Sequence, residues 1–293
     1  MQDYVFSDGL ERKVTNALLL IRKAYRYAKH RGERLEVAVS GGKDSDVLVA
    51  LCRMADVWGT ETLRPLHKIT TIDPPYTLAH VKAIGGVELV RPRKTFAQCI
   101  LSNGIPNMFR RHCCDEIKEY AIERHALIGV RRCESARRKK RYVEMTQCVS
   151  MKRGGTVQHY YPLLEWTDDD VAEFVNVTKT KCHPLYYDEK GVFHVERRLG
   201  CMCCPLMYRK KRVSEIKKYP KMLRFYCRYG KQYLESHKDA KVAKAFNNVY
   251  EWILCDLFFK DYNSFKKSQT QLDGTEIDAK LFLEKYFGVN LDL

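Results

Sequence analysis

The stretch whose residue types and spacing most clearly suggest chemistry is Ser40–Ser45, which reads SGGKDS. It follows an apolar run, Leu35–Val39, that has the length of one buried strand, and it precedes a helical pattern. A glycine-rich turn between a strand and a helix directs backbone N–H groups and the positive end of the helix dipole to one point. Gly41 and Gly42 allow close approach, and Lys43 adds a full positive charge. The stretch therefore predicts a phosphate-binding loop, with a spacing unlike G-x-x-x-x-G-K-[ST].

Two groups of cysteines form a second candidate site. Cys113 and Cys114 are adjacent, and Cys201 and Cys204 form a C-x-x-C pair with Cys203 as an additional thiol between them. Four thiolates suit either tetrahedral zinc or a [4Fe–4S] cluster, and Cys203 could replace one of the four. Adjacent cysteines are sterically awkward ligands for one zinc ion. The residues alone leave iron–sulfur, zinc and no metal as open alternatives.

The charge and cysteine content narrow the class of protein. The 293 residues carry 52 Lys+Arg against 36 Asp+Glu, for a formal net charge of +16. Such a field attracts polyanions, so DNA or RNA is the leading candidate partner, with small anionic substrates as the alternative. Twelve cysteines without a secretory signal favour metal or thiol chemistry over disulfides. No run is long enough for a membrane span, and we expect a cytoplasmic location.

The elements that must position these residues alternate along the first two thirds of the chain. Apolar runs of strand length occur at Leu35–Val39, His67–Ile72, Val87–Val90 and Ala126–Val130. Helical patterns separate them, with predicted helices that include Thr95–Ser102, Cys113–His125 and Thr167–Val177, and a first helix buries Val14, Leu18, Ile21 and Tyr25. This alternation predicts an α/β fold with a parallel twisted sheet flanked by helices, and ligands beyond the carboxyl ends of the strands.

The character of the chain changes near the second cysteine pair. The remaining residues are mainly helical in pattern and rich in aromatic side chains, which we expect to form a core rather than a base-stacking surface. The basic run Arg209, Lys210, Lys211 and Arg212 is a candidate contact for a polyanion. We predict a nucleotide-binding domain at residues 1–199 and a cysteine turn with a packed helical extension at 200–293.

Several stretches resemble known families. SGGKDS resembles the PP-loop of the ATP pyrophosphatases, and Gly129–Ser135 with Arg138 resembles the G-x-R-x-x-[QE]-S-x-x-R segment of the phosphoadenosine phosphosulfate (PAPS) reductase family. Tyr161–Val171 is similar to that family's P-L-x-D-W-T-x-x-D-V segment, and Pro184–Tyr186 also fits. The tandem cysteines followed by C-x-x-C resemble the [4Fe–4S] pattern of adenylyl-sulfate reductases. The resemblance runs from about Leu35 to Pro205 and implies a Rossmann-like PP-loop fold.

Two departures separate the chain from the namesake reductases. Those enzymes lack the Gly-Gly-Lys-Asp string and carry a catalytic cysteine in an E-C-G-[IL]-H string, whereas this chain ends KYFGVNLDL. The features are closest to iron–sulfur sulfur-transfer proteins of the DndC type. The resemblance therefore implies an ATP pyrophosphatase with a [4Fe–4S] cluster, which adenylates an acceptor for sulfur transfer, with nucleic acid as a candidate acceptor. Genuine PAPS or adenylyl-sulfate reductase activity is one alternative, and a zinc-stapled nucleic-acid-binding protein without catalysis is another.

The resemblance also assigns roles. Catalytic roles fall to Lys43, Asp44, Arg131 and Arg138, with ATP and Mg²⁺ as ligands and a cysteine desulfurase or another sulfur donor as partner. Contacts to the nucleotide are expected from Ser40, Gly41, Gly42, Lys43, Asp44, Ser45, Asp73 and Ser135. The cluster ligands would be Cys113, Cys114, Cys201 and Cys204, and the cluster would either carry sulfur or hold the C-terminal helices.

Overall fold

The computed structural model describes residues 4–107, 109–120, 122–142, 145–151, 155–205, 207–258 and 278–292. Contacts within the chain divide these residues between two units. The first unit comprises Met1–Ile69, Asp73–Pro92 and Glu119–Gly200, and the second comprises Thr70–Ile72, Arg93–Lys118 and Cys201–Leu293. The domain boundary between residues 199 and 200 stays a prediction. That boundary places Arg93–Lys118 in the first domain, whereas these residues belong to the second unit.

The first unit is built on a six-stranded sheet. Its strands are β1 (Leu35–Ala38), β2 (Leu63–Lys68), β3 (Glu88–Val90), β4 (His125–Leu127), β5 (Thr146–Met151) and β6 (Gly155–Tyr160). The strand order is β3-β2-β1-β4-β6-β5, and all pairs are parallel except β5 with β6. The predicted α/β fold with a mainly parallel sheet is confirmed.

Helices of the first unit cover the sheet. They are α1 (Asp8–His30), α2 (Lys43–Met54) and α3 (Thr77–Ile84), followed later in the chain by a helix at Ala136–Arg141 and one at Asp168–Thr178. Val14 and Ile21 of α1 are buried in the same core as Val37 of β1, as the periodicity predicts. This core supports the carboxyl end of β1, where the phosphate loop begins.

The second unit is helical. Its elements are α4 (Phe96–Asn103) and α5 (His112–Ile117), and, after α6 (Ala136–Arg141) and α7 (Asp168–Thr178) of the first unit, they continue with α8 (Arg209–Lys218), α9 (Lys221–Ser236), α10 (Lys241–Ala245), α11 (Val249–Ile253) and α12 (Ala279–Phe287). A π-helical turn, Leu254–Phe258, extends α11. Aromatic side chains such as Tyr226 and Trp252 are fully buried in this unit, which confirms the predicted C-terminal helical region with an aromatic core.

The structure corrects two predicted elements and adds one that was not predicted. The second strand is Leu63–Lys68 rather than His67–Ile72, because pairing with β1 uses the residues before the apolar string. The helix predicted at Cys113–His125 ends at Ile117, and His125 belongs to β4. The antiparallel pair β5–β6 had no counterpart in the prediction, since its polar residues alternate without a continuous apolar run. Among the described residues, no helix is long and apolar enough to cross a membrane.

Candidate nucleotide site and cysteine set

The phosphate loop joins β1 to α2 and is held by its own hydroxyl groups. Ser40 Oγ lies 3.2 Å from Ser45 Oγ, and Ser40 Oγ also accepts the Gly42 N–H at 3.3 Å. Ser45 Oγ donates to the Gly42 carbonyl oxygen at 2.8 Å. Gly42 is the residue before the first turn of α2, so the free N–H groups of that turn and the helix dipole face the loop. This arrangement is suited to bind phosphate oxygens.

Two glycines make the close approach of the loop possible. Gly41 has φ +77°, a left-handed conformation that side chains rarely adopt, and a Cβ there would lie 3.2 Å from Thr77 Cγ2. Gly129 follows β4, and a Cβ there would lie 2.8 Å from the carbonyl oxygen of Asp44. Gly129 therefore lets the segment after β4 contact the backbone of the first turn of α2.

Lys43, the first residue of α2, points its side chain into a confined place. The side chain is 4% exposed, and its Nζ lies 3.4 Å from Asp44 Oδ2. Lys43 Nζ also lies 5.6 Å from the centre of the Tyr186 ring, and the Tyr186 hydroxyl accepts the Leu199 N–H at 3.2 Å. Burial raises the pKa of Tyr186 to about 12, so this residue stays neutral and donates or accepts hydrogen bonds at the side of the loop.

Arg131 connects two acidic residues that are far apart in sequence. Its Nε donates to Asp44 Oδ1 at 2.6 Å, and its Nη2 donates to Asp168 Oδ1 at 2.7 Å. The third nitrogen lies 3.2 Å from Cys133 Sγ. Burial acts to lower the pKa of Arg131, but the charge of Asp44 and the hydrogen bond to Asp168 outweigh it, and the pKa is raised. Arg131 is thus a permanent cation that positions Asp44, and its predicted phosphate contact stays a prediction.

A second arginine lies in the same neighbourhood. Arg138, in α6, forms an ion pair with Glu134, and the Ser135 hydroxyl accepts the Arg138 N–H at 3.2 Å as the cap of α6. Burial lowers the pKa of Arg138, and the charges of Arg198 and Arg131 lower it further. Two guanidinium groups therefore repel the charge of Arg138, and an anionic ligand would relieve this repulsion.

The remaining predicted nucleotide contact, Asp73, lies in the loop between β2 and α3. Closer to the phosphate loop, the structure reveals an acid that sequence reasoning missed. Asp46 is buried, and both of its carboxylate oxygens lie 3.0 Å from His80 Nε2. Burial raises the pKa of Asp46 despite this pair. Nothing in the sequence indicates that Asp46 in α2 and His80 in α3 contact each other.

Sequence separation explains why two contacts of the site could not be predicted. Asp168 and Tyr186 are each distant in sequence from the residue that they contact, although both lie in stretches that resemble the family. Asp168 lies in the Thr-Asp-Asp-Asp cap of α7, and Tyr186 lies in Pro184–Tyr186. Their chemistry could have been proposed from those stretches, but not their partners.

The four candidate cysteine ligands all belong to the second unit. Cys113, Cys114, Cys201 and Cys204 are each partly buried. The pKa of Cys113 is raised, first by a hydrogen bond with Cys114, then by burial, and then by the charges of Cys114, Cys201 and Cys204. The other three thiols therefore lie in the neighbourhood of Cys113, since their charges act on it.

The donor chemistry of this set fits a four-thiolate metal group, because mutual repulsion of the thiolates is what a bound cation would offset. The side-chain positions themselves are not those of a metal site. Among the residues that the structure describes, no group of three or more His, Cys, Asp or Glu side chains could hold a metal ion.

The turn that carries the second cysteine pair is firmly anchored. Cys203 is buried with φ +52°, and its N–H donates to Glu215 Oε2 at 2.8 Å. Arg212 is also buried, and its guanidinium donates to the carbonyl oxygens of Cys204 at 3.3 Å and Met207 at 2.6 Å. The prediction that Arg212 contacts a polyanion is therefore wrong, because this residue holds the cysteine turn from inside.

Three solved structures are similar to the chain, at low identity. An FMN adenylyltransferase from Candida glabrata is 14% identical over 63% of this chain, with a TM-score of 0.41, and the chain spans only 62% of its length. A phosphoadenylyl-sulfate (PAPS) reductase from Candida auris is 12% identical over 67% of this chain and 96% of its own, with a TM-score of 0.42.

The third structure is the U34-tRNA thiolase NcsA from Methanococcus maripaludis with its [4Fe-4S] cluster. It is 15% identical over 79% of this chain and 82% of its own, with a TM-score of 0.37. Likenesses at this level carry no inference about ligands or substrates. No curated protein matches the sequence.

The sequence matches the model of one protein family over more than half of its length. This is the phosphoadenosine phosphosulfate reductase domain, which matches residues 34–207. This range contains the phosphate loop, the Arg131 segment, the cap of α7 and both cysteine pairs. The chain therefore belongs to the phosphoadenosine phosphosulfate reductase domain family.

Proposed function

We propose that this protein is an ATP pyrophosphatase that cleaves ATP between the α- and β-phosphates and transfers AMP to an acceptor, which is thereby activated for sulfur transfer. The observation that carries the proposal is the loop between β1 and α2. It combines a left-handed glycine, two bonded serine hydroxyls and a confined lysine at the amino end of a helix of 12 residues. Each of these features favours a bound pyrophosphate.

The charges around the loop support this reaction. In α–β cleavage, negative charge develops on the departing pyrophosphate, and a fixed cation in a confined site stabilises that charge. Lys43 supplies this cation, and its Nζ is kept near the loop by Asp44 at 3.4 Å. The other oxygen of Asp44 lies 2.6 Å from Arg131 Nε, so the charge of one carboxylate is shared between two cations.

Magnesium is the metal that this proposal requires at the nucleotide. A Mg²⁺ ion on ATP takes one or two protein carboxylates and completes its shell with water and phosphate oxygens. Asp44 and Asp168 are the two carboxylates joined through Arg131, and Asp168 is half exposed. We assign them as the candidate magnesium ligands, with Asp73 as a candidate contact to the ribose.

The cysteine set is the second part of the proposal. Cys113, Cys114, Cys201 and Cys204 would hold a [4Fe–4S] cluster, which could carry sulfur or stabilise the second unit. The protein's own contribution is the anchored turn at Cys203 and Arg212, which fixes two of the four thiols relative to α8.

The experiment is an ATP-to-AMP assay with pyrophosphate detection on the full chain. Lys43→Ala should abolish pyrophosphate release while the thermal unfolding midpoint changes little. Lys82→Ala, an exposed lysine of α3, is the matched control and should retain full release. Unchanged release in Lys43→Ala would refute the assignment of the loop. Nucleic-acid binding by a protein that never turns over ATP would favour the non-catalytic alternative.

A second candidate function is PAPS or adenylyl-sulfate reduction. Membership of the family favours it, and so does one thiol beside the nucleotide site. Cys133 is exposed, and its Sγ lies 3.2 Å from a nitrogen of Arg131. Once deprotonated, this sulfur could attack the sulfonate sulfur and displace the nucleotide phosphate, which leaves an S-sulfonated cysteine. A second thiol then attacks the cysteine sulfur, forms a disulfide with it and releases sulfite. Sulfite release from PAPS in the presence of a dithiol, lost in Cys133→Ala, would select this function.

A further inference from the structure

Two aromatic side chains of the second unit stand out by their exposure. Phe109 is 87% exposed and Tyr208 is 88% exposed, which makes them the two most exposed aromatic residues that the structure describes. They have related positions, since Phe109 lies four residues before Cys113 and Tyr208 lies four residues after Cys204. Scattered apolar residues are common on protein surfaces, but a large aromatic ring left in water next to each cysteine pair requires an explanation.

Backbone hydrogen bonds hold both residues. The Asn107 side-chain oxygen accepts the N–H groups of Phe109 and Arg110, each at 3.0 Å. Tyr208 directly precedes α8, and its carbonyl oxygen accepts the Arg212 N–H at 3.0 Å. Arg212 in turn holds the preceding carbonyl oxygens from inside. The exposure of the rings is therefore built into the second unit.

Basic residues flank both rings. Arg110 and Arg111 follow Phe109, and Arg209, Lys210 and Lys211 follow Tyr208. The two segments lie in one neighbourhood of the unit, because the charges of Cys201 and Cys204 act on Cys113. We call Phe109, Arg110, Tyr208, Arg209, Lys210 and Lys211, all of which are exposed, the aromatic–basic face.

We propose that the aromatic–basic face binds an unpaired segment of RNA, with Phe109 and Tyr208 stacking on bases and the basic residues contacting phosphates. In both segments an exposed ring is followed directly by cations, which suits a strand in which bases and phosphates alternate. An acidic peptide would pair with the cations but offers no flat faces for two rings. A DNA duplex hides its base faces by stacking, whereas loops, bulges and ends of RNA present them.

This inference rests on the proposed function only where it names the acceptor of sulfur transfer. Binding itself needs no ATP, so the two can fail separately. The test measures fluorescence anisotropy of the full chain with a labelled unstructured RNA of about 20 nucleotides, which spans one or two single-strand sites. Loss of ATP cleavage with retained RNA binding would refute only the nucleotide assignment.

The aromatic variants test stacking. Phe109→Ala and Tyr208→Ala should each weaken RNA binding by about 5- to 100-fold, as removal of a stacked ring does. Tyr286→Ala removes a ring from α12 that is 45% exposed and is the matched control, for which we expect unchanged affinity. Thermal unfolding of each variant identifies any that fail to fold. If both rings can be removed without loss of affinity, the proposal is wrong.

The charge variant tests phosphate contacts. Replacing Arg209, Lys210 and Lys211 together by alanine should reduce the slope of log K against log salt by about 2, because each phosphate contact on a single strand contributes about 0.7. The control replaces Lys231, Lys238 and Lys241, which are also exposed and lie in or near α9 and α10. Equal slopes in the two triple variants would overturn the assignment of these cations.

Competing nucleic acids decide the class of ligand. Duplex DNA of the same length should bind at least tenfold more weakly than the RNA. Single-stranded DNA of the same sequence is expected to bind more weakly than RNA as well. If duplex DNA competes as well as the RNA does, base stacking is excluded. If single-stranded DNA binds equally, the face is specific for single strands in general and the RNA assignment is overturned.

Discussion

Replacement of Gly129 by alanine should move the phosphate loop without touching any charged group. The added Cβ would lie 2.8 Å from the Asp44 carbonyl oxygen and 3.1 Å from the Asp44 carbonyl carbon. Both atoms belong to the backbone of the first turn of α2, so no side-chain rotation can relieve the contact. Ordinary contact distances begin at 3.4 Å, so the turn must retreat by about 0.6 Å, which is 3.4 minus 2.8.

This displacement sets the expected losses of stability and of reaction rate. Inserting a methyl group into a packed backbone contact costs about 1–3 kcal/mol, which lowers the unfolding midpoint of a chain of this size by several degrees. A misplacement of about 1 Å at a reacting centre costs roughly 100-fold in rate. A shift of about 0.6 Å should therefore reduce pyrophosphate release by about tenfold or more, since Lys43 and the loop N–H groups move with the turn.

The assay combines thermal unfolding with steady-state pyrophosphate release from ATP, measured at saturating magnesium. Gly9→Ala is the matched control, since it adds the same methyl group within α1 where no atom lies within 4 Å. Alanine is favoured over glycine in a helix, so this variant should be neutral or more stable by up to about 1 kcal/mol.

We expect the two variants to differ in both measurements. Gly129→Ala should lower the unfolding midpoint and the rate of pyrophosphate release together, and Gly9→Ala should lower neither. A Gly129→Ala protein with the wild-type unfolding midpoint and the wild-type rate would refute the packing of the β4 loop on α2. Lost stability with an unchanged rate would instead separate this contact from the phosphate loop and remove it from the catalytic argument.

Three other predictions concern the bridge, the sheet and the cysteines. Arg131→Lys keeps the charge but cannot span two carboxylates, so we expect about 2 kcal/mol lower unfolding free energy and at least tenfold slower pyrophosphate release; wild-type values would refute the bridging role. Burial, with the charges of Lys68 and Arg141, lowers the pKa of His159 from 6.5 to about 4, so the unfolded chain binds the proton more tightly. The contribution of His159 to the unfolding free energy is therefore complete above about pH 6.5 and falls as the pH drops toward 4, and urea midpoints of His159→Gln should fall less over this range than those of wild type. Anaerobically purified protein should be brown, with visible absorption that disappears in Cys201→Ser and persists in Cys148→Ser, a change at an exposed thiol of β5; a colourless protein with stoichiometric zinc would refute the cluster.

The phosphate loop and the framework around it were predictable because their signals are local. Backbone preferences at Gly41, the apolar run of β1 and the cap of α7 at Thr167 each act within a few residues, and the structure contains all of them. Alternation of strands and helices then restricts the topology to a mainly parallel sheet. Thus the conformation of the loop and the class of fold were determined by the sequence itself.

The partners within the site were decided by tertiary structure. Arg131 is 87 residues from Asp44 and 37 residues from Asp168, and no periodicity connects residues at such separations. The same is true of Gly129, whose lack of a side chain matters only because α2 approaches it. An antiparallel β5 also could not be predicted, since its pairing with β6 buries few apolar residues.

The burial of Arg212 shows most clearly what the sequence determines and what only the tertiary structure decides. Arg212 stands in a run of four basic residues, and nothing in their order distinguishes it from Arg209 or Lys210. In the folded second unit it alone of the four is buried, because the carbonyl oxygens of the cysteine turn need a donor that only a guanidinium can offer to several of them at once. The sequence determined that cations surround the cysteines, whereas the tertiary structure decided which one supports the turn and which ones face solvent.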